Sequence, residues 1–135
     1  MSHWWDLIMD ARGITAIYGG APPALDDVVV HEITLHRDGP SVRLRIDLPS
    51  YPDPAPPKWR AQGYNVVQVV LTMVGVRDVA LRGWSHQIRA GLALAREEGV
   101  VAVRMTSDAV RLDLRADAVD LTAVSAYRQP SGVPR

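Results

Sequence analysis

The chain has 135 residues, no cysteine, and fifteen basic side chains balanced by fifteen acidic ones. That length suits one domain burying roughly two-thirds of its unfolded surface, with enough apolar residues for a core that needs no metal or disulfide staple. Zero net charge argues against a generic nucleic-acid or anionic-membrane binder, and the missing thiols exclude a disulfide framework, thiolate metal ligands and a cysteine nucleophile.

The first ten residues lack a basic region, and Asp6 and Asp10 interrupt their apolar positions, so no signal peptide is read here. No uncharged apolar run approaches the ~18 residues of a membrane helix, which makes the cytoplasm the expected compartment. Trp4, Leu7, Ile8 and Ala11 recur at helical spacing and predict a short helix over residues 3 to 11, stopped by Gly13. One of Trp4 and Trp5 is expected against a sheet and the other at the surface. Gly19 to Pro23 breaks regular structure.

Residues 31 to 48 read as a β-hairpin, and its first strand is predicted over 28 to 37. In its second arm Val42, Leu44, Ile46 and Leu48 alternate with Ser41, Arg43, Arg45 and Asp47, the period of a strand with one dry and one wet face. Asp38-Gly39 supplies the turn and Pro40 belongs to the connection. From Pro49 to Arg60, prolines crowd the chain, and a stiff, extended loop is expected. Residues 64 to 74 are apolar on both faces, as a central strand is. A short strand is predicted over 79 to 84, with Trp84 packed in the core and Gly83 making room for its indole. Alternation over 88 to 96 favours strand, although its composition would also support a helix. Further strands follow over 101 to 105, 110 to 115 and 119 to 127, with Thr106-Ser107-Asp108 as a turn. The expected fold is therefore mainly β (α+β): about eight strands in a strongly curved antiparallel meander or barrel-like sandwich, with one N-terminal helix. One domain over 1–128 and a flexible tail over 129–135 complete the picture.

Candidate chemistry is sparse. His31 and His36 are five apart, so on a regular strand they face opposite sides and make a poor metal pair. Serine-hydrolase, P-loop and dinucleotide-binding signatures are absent, and the carboxylate pairs Asp26-Asp27 and Glu97-Glu98 fall in solvated turns. Neither an enzymatic role nor a cofactor is expected. Arg43, Arg45, Arg111 and Arg115, with Asp47 and Asp113, read as cross-strand ion pairs or as a mixed-charge recognition face. In the proline-rich stretch, Tyr51 and Trp59 either cap an open end of the sheet or join Lys58 and Arg60 as anchors for a partner. Gln68 and Thr72 are the few polar groups placed toward the buried side.

Ile17-Tyr-Gly, Pro23-x-Leu25, the run from His31 to Pro40, Lys58-Trp-Arg60, Gly63-Tyr-Asn-x-Val-Gln68, Gly83-Trp84 and Val124-Ser-Ala-Tyr127 occur in this order along the chain. Taken together, they resemble the immunity protein 50 family of bacterial polymorphic-toxin systems. The resemblance implies an intracellular antitoxin that binds a cognate toxin domain, as a monomer or homodimer, with no nucleic acid or membrane partner. Asp38, Tyr51, Lys58, Trp59 and Arg60 are the expected toxin-binding cluster, chosen for their chemistry. A small-molecule-binding β-barrel and an oligomerising structural module are the alternatives.

Overall fold

Period-two patterning governs the architecture. The structure, a computed structural model, describes residues 3–130. Its strands are β1 (Val28–His36), β2 (Ser41–Asp47), β3 (Val66–Val74), β4 (Arg77–Arg82), β5 (Arg89–Glu97), β6 (Val100–Thr106), β7 (Arg111–Ala116) and β8 (Ala118–Tyr127). They form one antiparallel sheet in the order β4-β7-β6-β5-β1-β2-β3-β8. The mainly-β, eight-stranded architecture expected from alternation is the one observed. Val42, Leu44 and Ile46 of β2 meet Val67, Val69, Leu71 and Met73 of β3, and Val101, Val103, Met105, Leu112 and Leu114 of β6 and β7, in a single core.

The path is not one meander. Hairpins join β1-β2-β3 and β5-β6-β7, but β4 returns to β7 and β8 to β3. This follows from two bends. β3 runs into β4 through Gly75-Val76, and β7 into β8 through Asp117, so two long bent strands pair on both sides of a corner. There the Asp117 N–H donates to the carbonyls of Val74 at 2.9 Å and Gly75 at 3.3 Å. Gly75 holds φ at +64°, and a Cβ on it would strike the Asp117 side chain, so the corner needs glycine. Strands that change direction at such corners let a sheet fold onto itself around a core. The first half is β1-β2-β3-β8 and the second β4-β7-β6-β5, linked by the short β1–β5 ladder. β4 and β8 end the ladder; the outer side of β4 has no strand partner among the described residues, whereas β8 is met at Val119 by Ile8 and Met9. The sheet is not closed, so the barrel-like part of the expectation is not reached.

Three local expectations change. The helix predicted over 3 to 11 is a 3-10 turn, Trp4–Leu7, followed by the one-turn helix α1, Arg12–Thr15, which contains Gly13. Tertiary pairing overrides the helical stripe: Ile8 is extended and bridges Val119, and the Met9 N–H donates to the Val119 carbonyl at 2.9 Å. Trp4 and Trp5 are both part-buried, and of the two it is Trp4 that packs against the core, its indole N–H donating to the Pro23 carbonyl at 2.9 Å. The loop expected to stay extended from 49 to 60 ends in helix α2, Pro57–Gln62. Pro57 lies at a helix start, where the missing N–H costs nothing, and Gly63 at φ +67° closes the helix. The ambiguous segment 88 to 96 is strand β5. Of the tail expected over 129–135, residues 131–135 lie outside the described residues. Gln129 is held by Asn65, its N–H donating to Oδ1 at 2.7 Å.

Candidate functional site

The polar groups gather on the two outer faces of the sheet. On the first half, β2 turns Ser41, Arg43, Arg45 and Asp47 away from the core, yet Asp47 is completely buried. Its Oδ2 accepts from Tyr127 Oη and meets His31 Nε2 at 2.8 Å, and its Oδ1 accepts from Gln68 Nε2 at 3.0 Å. One carboxylate thus ties β1, β2, β3 and β8 together. A depression of about 400 Å³ opens beside it, lined by His31, Arg45, Gln68, Ser125 and Tyr127. Both oxygens of Asp47 are occupied, so it works as a fixed acceptor joining four strands.

Strand parity conceals this grouping in the sequence. The β1–β2 register shifts between Val30 and Glu32, and His31 is the extra residue. A bulge re-aims its side chain, so counting by twos fails across it. Gln68 and Thr72, expected on the buried side, lie on this outer face: Gln68 opposes Asp47 in register, and Thr72 Oγ1 meets Thr122 Oγ1 at 3.0 Å.

The five expected binding residues do not form one patch. Asp38 is in the β1–β2 turn, fully in solvent beside Arg37. Tyr51 and Trp59 lie beyond the other end of β2, roughly 20 Å along the strand at about 3.3 Å per residue. They tilt against each other with ring centroids 6.3 Å apart and pack on the core, while Lys58 and Arg60 of α2 are exposed. The Tyr51 hydroxyl is buried without a hydrogen-bond partner among the described residues, and desolvation pushes its pKa up. Tyr18 lies nearby, its Oη donating to the Ser50 carbonyl at 2.6 Å.

The second half presents a different surface. All six residues of β4 are exposed, and its far side is unpaired. Leu81 is 39% exposed and Trp84, just past the strand, 58%. Trp84 was expected in the core. Gly83 takes φ +77° so that its backbone can lie against the Ala109 carbonyl, which a Cβ would overlap. The glycine makes room for that carbonyl and not for the indole, which projects outward.

Beside Trp84, Arg82 of β4 stands directly opposite Arg111 of β7. With Ala80 and Asp113 they line a hollow of about 300 Å³. Asp113 accepts from Arg104 Nε at 2.8 Å and Arg111 Nε at 3.1 Å. The hydrogen bond from Arg104, seconded by the one from Arg111, holds its carboxyl below the usual range. Arg82 has no carboxylate partner among the described residues. Sequence reading singled out Arg111 and Asp113 but missed Arg82. The available signal was the lone Arg in the predicted strand 79 to 84.

No three His, Asp or Glu side chains among the described residues gather into a potential metal site. No described helix is long and apolar enough to cross a membrane. Fold and surface together define a mainly-β scaffold whose distinctive groups sit on its outer faces and on one open edge. The chain belongs to the immunity protein 50 family, whose model matches residues 10–127. No curated protein and no solved structure matched it.

Proposed function

We propose that this chain is a bacterial immunity protein that binds a cognate toxin domain inside the producing cell and blocks it by direct contact, without chemistry of its own. The observation that carries this reading is the family match over residues 10–127. The distribution of polar groups supports it. Asp47, the buried carboxylate, is engaged by its own neighbours, whereas the exposed edge offers tryptophan and arginine, residue types that anchor interfaces, beside an exposed leucine. A surface of that kind needs no reactive group to inhibit. It needs rigidity and complementarity to one partner.

The test is coexpression with the toxin domain encoded by the adjoining gene. Cells are expected to survive the toxin only when this chain is present, and the two proteins are expected to co-elute. Survival without the chain, or separate elution with the toxin still active, would refute the reading. Lys58 and Arg60 on α2 enter the same assay as a second candidate surface.

A further inference from the structure

We infer that the open edge from Ala80 to Trp84 receives the toxin, and that the docked element is an extended acidic segment with one carboxylate lodged between Arg82 and Arg111. The inference rests on the immunity reading and adds the contact surface and the chemistry of the partner.

Three observations converge. First, directly opposed strand residues point to the same side with Cβ atoms about 5 Å apart, and like charges in that position repel. Arg82 and Arg111 are so opposed, and Arg111 shares Asp113 with Arg104. Two guanidiniums thus share one carboxylate, and Arg82, which has no carboxylate partner among the described residues, lines a hollow of about 300 Å³ with Ala80, Arg111 and Asp113. A partner carboxylate there relieves the repulsion and is met by donors from two sides. Second, the flanking apolar groups are uncovered. Leu81 opposes the fully buried Leu112 yet is 39% exposed, and Trp84 is 58% exposed. Third, the edge is usable over a limited length. The β4–β7 register shifts between Arg77 and Ala80, with Asp78 at φ +56°, which leaves Ala80 to Arg82 as the regular part. A free edge of this kind accepts an extended segment by strand addition, with side-chain pockets supplying the specificity.

A second copy of the chain is the wrong occupant. Antiparallel pairing of two β4 edges about their centre would set Arg77 against Arg82 twice, with Arg111 and Arg115 alongside. Charge favours a partner of opposite sign. Nucleic acid also offers anions, but Arg77, Arg104, Arg111 and Arg115 are each met by an aspartate, which leaves Arg82 beside apolar side chains and not a track of free cations matching a phosphate backbone.

The experiment measures binding of the full chain to the toxin domain encoded by the adjoining gene, for the wild type, R82E, W84A and a K58E/R60E control, with thermal melts to verify folding. R82E and W84A are each expected to raise Kd roughly 30-fold or more, as loss of an interface anchor does, and the control to stay within about threefold. Added salt is expected to weaken the wild-type complex more than the R82E complex. Amide exchange on the unmutated complex is expected to slow at residues 80 to 84, which needs no variant at all. If the wild type binds while R82E and W84A stay within threefold, the docking surface is wrong and the immunity reading stands. If the control loses binding instead, the surface is α2. A wild-type dimer that R82E dissociates, or competition by a single-stranded oligonucleotide, would also overturn it. Failure of the wild type to bind would remove the immunity reading and this inference with it.

Discussion

Replacing Asp47 tests how the first half of the sheet is held together. D47A strips the acceptor from three donors on three strands: His31 on β1, Gln68 on β3 and Tyr127 on β8. A hydrogen bond to a charged group is worth about 1.5–3 kcal/mol net. Three such bonds do not simply add. The His31 side chain is 30% exposed and Gln68 and Tyr127 are part-buried, so water recovers some of the loss, and removing a buried charge returns its desolvation cost. A net destabilisation of about 3 kcal/mol for D47A is the expected balance. D47N keeps one acceptor oxygen but turns an NH2 group toward a donor. Gln68 cannot freely flip to receive it, because its Oε1 already faces Arg45 Nη1 at 3.4 Å. A loss of about 1–2 kcal/mol is expected there. For a chain of 135 residues, about 3 kcal/mol lowers Tm by roughly 10 °C. Calorimetric melts and urea titrations of the three proteins supply the comparison. If D47A melts within about 2 °C of the wild type, the carboxylate is not the tie between the strands. If D47A is stable but no longer binds toxin, the depression beside Asp47 belongs to the interface after all.

Three further outcomes can be checked on the free protein. Y51F is expected to leave stability unchanged or raise it by up to about 1 kcal/mol in urea titration, because it deletes a buried hydroxyl that has no partner; a clear loss would mean that the hydroxyl is satisfied. G83A is expected to cost upward of about 3 kcal/mol, combining positive-φ strain with overlap on the Ala109 carbonyl, whereas G20A, at φ +91° with open space around it, is expected to cost only the strain of about 1 kcal/mol; equal Tm losses would contradict the close approach. Burial first, and the neighbouring Tyr51 second, push the Tyr18 pKa up. Its stabilisation is therefore complete below the unfolded tyrosine value of about 10 and is lost as pH rises from there toward the folded value, so Y18F is expected to flatten the alkaline fall in stability above pH ~10.

Sequence reading succeeded where residues obey a local period. The alternation in β2, β6 and β7 survives into the fold because each strand has one face on the core and one in water. It failed wherever a tertiary contact changes the local rule. Trp4, Leu7, Ile8 and Ala11 share a helical stripe, but Ile8 gains more as a strand bridge to Val119 than as a helical residue. The bulge at His31 breaks the parity by which His31 was set apart from the other polar groups of the face. Helix α2 carried its own signals, Pro57 at the start and Gly63 at the stop, and the density of prolines before it obscured them. Trp84 defeats the sequence rule because a glycine beside an indole suggests space for the ring, when the space serves a backbone approach from a turn 26 residues further on. The separation of Asp38 from Tyr51 and Trp59 is a matter of strand length: residues near either end of one hairpin arm look adjacent in sequence and stand at opposite ends of the sheet.

The two outer faces divide the work between holding the fold and meeting a partner. On the first half, the donors around Asp47 converge on an acceptor within the chain, and altering them should change Tm before it changes binding. On the second half, Arg82 has charge to spare and β4 has an unpaired side, so changing either should alter affinity while leaving the core intact. The Gly75 corner makes this division possible. It continues β3, whose alternate side chains fill the core, into β4, where all six residues reach solvent. Charge and a bulge guard the Arg77–Asp78 end of this edge against chance pairing, while the stretch from Ala80 to Trp84 is left open. Here the edge carries leucine and tryptophan beside an unpaired arginine, which makes sense once a particular partner is expected to cover them. Stability and affinity should therefore respond to different mutations, and a variant set in which the two always change together would contradict this division.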